Sequence, residues 1–296
     1  MNIYDCFMYF DEDMLLDLRL NVLNNHVKKF VITEATYTHN GNKKKLQFDI
    51  KKFQKFKDKI IYLVVDKQPK NIMQLDENDS KEKRGEKLIL NGMARDYFQR
   101  ENLKRGLLNT SDEDLILVSD LDEIPNLENI DFSKIKNNIV IFEQKMFYYK
   151  FNLFYSDFIW QGTKGTKSKN FLSPQWLRNI KGRNYSRWRI DTWFSKKKYS
   201  NLFFIKNGGW HFAYLRTPEE LEKKLLNFAH HYEFEESGLK INDLKKLISE
   251  KRVIYDHNLD QKEYKWSGKS ILEKVELNLL PNYISENIDM YRKWLD

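Results

Sequence analysis

The sequence predicts an α/β protein whose central, mostly parallel sheet is flanked by helices. Three observations carry this reading. Strand-like and helix-like segments alternate through the first half of the 296-residue chain, and strands joined through helices need crossovers, which favour parallel pairing. Leu115-Ile116-Leu117-Val118 is an unbroken run of branched apolar residues, the pattern of a strand buried on both faces. A hydrophobic content of 41% with 15% aromatics is ample for one large core and argues against disorder.

Taken in order, residues 2–10 read as a first strand running into an acidic turn. Asp11 or Asp13 then caps a helix whose stripe is Met14, Leu15, Leu18, Leu20, Val22 and Leu23. Residues 28–35 and 59–66 are the second and third strands, a long helix covers 86–108, and 115–119 is the fourth strand. Beyond Pro125, residues 138–151 are strand-like and aromatic. Ser173-Pro174 opens a helix, with Ser as cap and Pro in the first turn. Residues 203–212 form a strand broken by Gly208-Gly209. Thr217 with Glu220 is a capping box, and from there the chain reads as mainly helical. Alternation across Phe147, Tyr148, Tyr149, Phe151, Phe154, Tyr155 and Trp160 turns about half of them inward, leaving Trp160 as an acceptor-side candidate.

Composition narrows the functional classes. The single cysteine, Cys6, excludes an internal disulfide and a cysteine-based zinc cluster. No apolar run approaches the ~20 residues that span a bilayer, and residues 1–7 lack the basic start of a signal peptide. A cytoplasmic protein is expected, with peripheral membrane contact left open. The net charge of +8 comes mostly from lysine. Lys43-Lys44-Lys45 and Lys196-Lys197-Lys198 read as solvated loops, and the spread of lysines along the chain argues against a nucleic-acid partner.

The chemistry starts where the fourth strand stops, at Ser119-Asp120-Leu121-Asp122-Glu123-Ile124-Pro125. Unpaired carboxylates are costly to bury, whereas the carboxyl end of a central strand is where open α/β sheets bind ligands. Two acids with one residue between them on an extended chain face the same side. Asp120 and Asp122 can therefore hold Mg²⁺ or Mn²⁺, which in turn holds a diphosphate. The competing reading is a helix cap. Glu34 ends the second strand as a candidate for ribose or base, with capping as its competitor. His211 follows Gly208-Gly209, where backbone can approach a ligand closely; His230 and His231 lie further on. Arg95 and Arg100 are the arginines of the long helix placed to meet a diphosphate.

The same residues resemble glycosyltransferase family 17, which includes the animal enzyme adding the bisecting β-1,4-linked N-acetylglucosamine. The resemblance rests on blocks spread through nearly the whole chain. These are Tyr4-Asp5-Cys6-Phe7 with Arg19-Leu20-Asn21, Phe30 to Thr36 with Thr38 and Gly41, and Arg95 with Arg100. Ser119 to Pro125, Gly209 to Tyr214 with Thr217-Pro218-Glu219, and Phe228-Ala229-His230 complete them. It implies a GT-A type catalytic domain over residues 1–235 with a helical carboxyl-terminal extension, 236–296, packed on it. It further implies a nucleotide-sugar donor, UDP-N-acetylglucosamine, contacted by Phe7, Glu34, Thr36, Arg95 and Asp120. Mn²⁺ or Mg²⁺ is implied at Asp122, with Asp120 and His211. The acceptor expected is a surface glycan or a lipid-linked oligosaccharide.

Inversion by single displacement, the family's reaction, needs a carboxylate to deprotonate the acceptor. Asp191, among aromatic residues between the metal motif and His211, is the first choice, with Glu143 and Asp157 as rivals. Two other readings compete. A nucleotidyltransferase would want a glycine-rich phosphate loop after the first strand, and residues 5–13 contain no glycine. A non-catalytic basic binding module would want its cations on one face.

Overall fold

The computed structural model describes residues 1–228, 231–259, 263–266 and 268–296; Ala229 and His230, named above, lie outside the described residues. The elements run β1 (Ile3–Met8), α1 (Asp13–Leu23), β2 (Lys29–Ala35), β3 (Ile60–Val65), α2 (Lys81–Glu101), β4 (Leu115–Val118), β5 (Glu123–Pro125), β6 (Ile139–Tyr148) and β7 (Leu153–Lys167). Then follow α3 (Pro174–Asn179), α4 (Ile190–Trp193), β8 (Leu202–Ile205), β9 (Gly209–Ala213), α5 (Pro218–Leu225), α6 (His231–Ser237), α7 (Ile241–Ser249), β10 (Glu273–Lys274), α8 (Asn282–Glu286) and α9 (Ile288–Tyr291).

One sheet organises them, in the order β3-β2-β1-β4-β7-β6-β9-β5, with β10 on β7 and β8 on β6. The first four strands form the one continuous parallel block, and β8 and β9 each lie parallel to β6. From β4 onward the sheet is mixed. The β6–β7 hairpin meets β4 antiparallel through β7, and β9 runs parallel to β6 but antiparallel to β5. The correction has a local cause: Tyr149 to Asn152 turn the chain straight back, so no crossover intervenes.

Alternation along the strands sorts the two faces. Ile3, Phe7, Leu115 and Leu117 join the leucines of α1 in one core, with Leu280, Ile284 and Tyr291 from the chain's end. Tyr4, Cys6, Ile116 and Val118 face the other way, onto Leu103, Leu107, Leu177 and Ile180 beyond α2 and in and after α3. Leu16, Leu18, Leu20 and Leu23 are fully buried, each contributing about 1.5–3 kcal/mol. β6 is largely buried on both faces, whereas the first half of β7 alternates. Phe147, Tyr148, Tyr149, Phe151 and Tyr155 are core, five of the seven aromatics where about half were expected, and Phe154 and Trp160 are partly buried.

Several local expectations hold. Ser173 accepts from the Trp176 amide at 3.2 Å, and the Thr217–Glu220 capping box forms. The glycine break splits its strand into β8 and β9, which pair with successive stretches of β6. Gly209 is needed there: its φ is +126°, and a Cβ would lie 2.1 Å from the Ile124 carbonyl. Others do not hold. α2 begins at Lys81 because Ser80 caps it, accepting from the Lys83 amide. Neither Asp11 nor Asp13 caps α1. Glu12 occupies that position, and its carboxylate turns back onto the amides of Phe10 and Asp11. Residues 236–296 hold α7, α8 and α9 but also β10 and long turns, and Tyr255, His257 and Trp266 from this stretch wall the main cleft.

Candidate active site

β1 has β2 on one side and β4 on the other, so the chain's direction of travel across the sheet reverses at the carboxyl ends of β1 and β4. That is the switch point where α/β sheets open a crevice. A cleft of about 540 Å³ lies there. Met8, Tyr9, Phe10 and Glu12 enter it after β1, and Asp120, Leu121 and Asp122 after β4.

The acidic segment is a turn, not the extended chain expected. The Glu123 amide donates to the Asp120 carbonyl at 3.1 Å, and the buried Glu123 carboxylate accepts from the Asp120 amide at 2.9 Å. The two aspartates therefore part company. Asp120 keeps the parity of Ile116 and Val118 and meets the helices on that face. Its Oδ1 accepts from Arg100 at 3.2 Å and its Oδ2 from Arg178 of α3 at 3.0 Å. Its walled-in position would raise its pKa, but the two guanidiniums outweigh that and hold the carboxyl well below the usual range. Asp122 instead faces His211, with Oδ1 at 3.6 Å from Nε2, and Lys224 at 3.8 Å. Burial pushes the Asp122 carboxyl up, only partly offset by His211 and Lys224.

The scaffold behind this turn is a buried arginine. Asp5 and Ser119 share the α1 face of their strands, and Arg19 of α1 reaches both. It forks onto Asp5 at 2.8 and 2.6 Å and donates to the carbonyls of Asp120, Leu121 and Glu123 at 2.8–3.1 Å. Glu123 is saturated as well. Besides the Asp120 amide it accepts from Arg178 at 2.7 and 3.0 Å and from Trp160 Nε1 at 2.6 Å. Arg178 is steadied from behind by Lys164, which donates to the carbonyls of Arg178 and Ile180 at 2.7 and 2.6 Å.

The third wall is aromatic. Trp160 lies 4.7 Å from the His211 ring, and His257 sits among Phe158, Trp160 and Tyr255 at 4.9–5.3 Å. Burial, His211 and Lys265 push His257 down to about 4, so it is neutral at pH 7. Burial would raise Glu12, yet Lys224 and Arg216 bring it down to about 2. Both shifts act in one direction on stability. Between pH 6.5 and about 4 the unfolded chain takes up a proton at residue 257 that the fold refuses. From pH 4.5 to about 2 the same holds at Glu12. Stability falls as pH drops through each window. His257→Gln is expected to flatten the fall in melting temperature between pH 6.5 and 4; an unchanged slope would contradict this.

Of the site residues expected from sequence, the cleft gathers Asp120, Asp122, His211, Arg100 and Trp160. It does not gather the rest. Phe7 is fully buried in the core, with the Arg19 guanidinium 4.5 Å over its ring. Glu34 is fully buried and occupied by Lys44, the amides of Gln47 and Phe48, and the Tyr62 hydroxyl, so it fastens a loop. Thr36 makes backbone bonds to Val65 and Lys44. Arg95 clamps Gln68 and the His39 carbonyl. Asp191 stands outside the cleft on exposed α4, ion-paired with Arg189 and Lys198, whose hydrogen bonds hold its carboxyl well below the usual range. Neither Glu143 nor Asp157 lines the cleft. His231 bonds the Phe228 carbonyl.

The metal trio does not converge either, since both oxygens of Asp120 lie on guanidiniums. Among the described residues no three His, Cys, Asp or Glu side chains form a metal cage. A hard cation that carries a diphosphate does not need one, because one or two protein ligands plus phosphate oxygens suffice. Asp122 and His211 fit that smaller requirement.

An acidic turn at a switch point, ringed by Arg100, Arg178 and Lys224, stands where open α/β sheets bind ligands. The model of Glycosyltransferase family 17 matches residues 1–295, and the chain belongs to that family. It is therefore an enzyme of glycosyl transfer, and its family implies a nucleotide-sugar donor and a glycan acceptor. No curated protein matches the chain. Among solved structures, HddC from Yersinia pseudotuberculosis is similar at 10% identity and a TM-score of 0.32, over 70% of this chain and 91% of its own. No helix among the described residues is long and apolar enough to cross a membrane.

Proposed function

We propose that this protein is a metal-dependent, inverting glycosyltransferase of GT-A type that moves N-acetylglucosamine from UDP-N-acetylglucosamine to a hydroxyl of a glycan or lipid-linked oligosaccharide. The observation that carries the reading is the switch-point cleft, in which the acidic turn after β4 is set among Arg100, Arg178, Lys224 and His211. Asp122 and His211 would hold Mn²⁺ or Mg²⁺, which would neutralise charge developing on the departing diphosphate. Lys224, set between Glu12 and Asp122, is the cation beside it, whereas Arg100 and Arg178 orient Asp120. Trp160 supplies a flat apolar face for a sugar ring. The acceptor proton passes to a group lining the cleft, where Glu233 of α6 and His257 of the aromatic wall both stand.

The test is a panel of sugar nucleotides assayed for release of the nucleotide with Mn²⁺, with Mg²⁺ and with EDTA. Release from UDP-N-acetylglucosamine above the other donors, lost in EDTA, is the expected result. Release undiminished by EDTA would overturn the metal assignment, and preference for another donor would overturn the sugar or the base.

A further inference from the structure

The segment between α3 and β8 carries a surface the cleft does not use. Trp188 is 90% exposed, Ile190 69%, Trp193 68% and Phe194 85%. Large apolar side chains that stand singly on a surface need no explanation, but a contiguous cluster marks a contact surface. The loop holds these side chains outward. Its base is closed by the bridge between Asn184 and Tyr199, with the Tyr185 amide donating to the Tyr199 carbonyl at 2.9 Å. Its tip is fixed by Trp193 Nε1 on the Arg187 carbonyl at 2.8 Å.

Charge identifies the occupant. Residues 183–198 contain six basic side chains and one acid, Asp191. That acid is neutralised within the loop by Arg189 and Lys198. Arg183, Arg189 and Lys198 lie 4.7–5.7 Å from the Tyr185 ring centroid, gathering three cations around one side chain. We propose that this loop docks the enzyme on an anionic lipid bilayer. Trp188, Ile190, Trp193 and Phe194 enter the headgroup–acyl boundary, and the surrounding arginines and lysines hold lipid phosphates.

Tryptophans favour that interface, and apolar insertion combined with a basic collar supplies the two signals that stable surface binding needs. Ile190 and Phe194 at the tip set this surface apart from a nucleic-acid groove, where rings and cations track a backbone. The loop lies in the segment after α3, whose Arg178 reaches Asp120. The inference rests on the loop alone and does not depend on the donor or the metal.

The test is sedimentation of the full chain with vesicles of phosphatidylcholine alone and of phosphatidylcholine mixed with phosphatidylglycerol. The chain is expected to sediment with the anionic vesicles and to stay in solution with the neutral ones, and its tryptophan emission should shift to the blue on anionic vesicles. W188S/I190S/F194S should bind at least about tenfold more weakly, with an unchanged circular dichroism melt because these side chains are exposed and Trp193, which fixes the tip, is kept. R187E/K196E/K197E should lose the preference for anionic lipid. Wild-type protein left in solution with anionic vesicles would overturn the proposal, as would a triple serine variant that sediments like wild type. So would retention of duplex DNA without vesicle binding, or a solution dimer that the serine variant breaks without any vesicle binding.

Discussion

Asp122→Ala is expected to lower transfer by on the order of a thousandfold or more while leaving the melting temperature at or slightly above that of wild type. The two halves come from one observation. Asp122 shares its turn with two other carboxylates, and burial together with Asp120 and Glu123 pushes its carboxyl up. The fold therefore tolerates this charge and does not depend on it. Removing it relieves like-charge repulsion and takes away the one cleft carboxylate that sits at 3.6 Å from His211 Nε2. Nucleotide release measured over a Mn²⁺ titration, beside a thermal melt, reads both. Wild-type turnover in the variant, or turnover that persists in EDTA, would sink the assignment. A large drop in melting temperature would mean that Asp122 is structural.

Arg19→Met carries the opposite signature, a large loss of stability. Arg19 and Asp5 are both fully buried, and removing one member of such a pair costs about 3–5 kcal/mol because the other charge is stranded. Three carbonyls of the acidic turn lose their donor at the same time. Arg19→Lys is not a mild change, since an ammonium cannot fork onto Asp5 and reach those carbonyls together. Urea unfolding measures the effect. Pairing Arg19→Met with Asp5→Leu should recover part of the loss, because no lone charge then remains, but not all of it. A single variant within about 1 kcal/mol of wild type would contradict the account.

Much of the left half of the sheet was legible in the sequence, because each strand there is short, apolar and separated from the next by a distinct helix or loop. The right half was misread where β6 and β7 form a hairpin. An aromatic strand largely buried on both faces shows no period to reveal its partner, and the direction of pairing depends on a four-residue turn. That Asp120, Asp122 and His211 line one cleft was readable because strand ends and a glycine pair announce them, but not that Asp120 turns to guanidiniums and away from the other two. Arg178 was not, although its helix was, since nothing local says that a side chain from a six-residue helix will span to Asp120. Asp191 misled for an instructive reason: the aromatic neighbours that suggested a sugar site face solvent on a basic loop. Glu34 and Phe7 are strand residues whose surroundings, a folded-back loop and the Arg19 guanidinium, are visible only in three dimensions.

The pairing of β5 with β9 has one more consequence. Glu123 lies opposite His211 in that ladder, and the Phe212 amide donates to the Asp122 carbonyl at 2.9 Å. The gap between the Asp122 and His211 side chains is thus set by main-chain geometry at the margin of the sheet. If Asp122 and His211 hold a cation, as proposed above, fraying of this margin and loss of that cation become a single event. Amide protons of β9 should exchange more slowly once a cation is bound, and the cation should leave as fast as the margin opens.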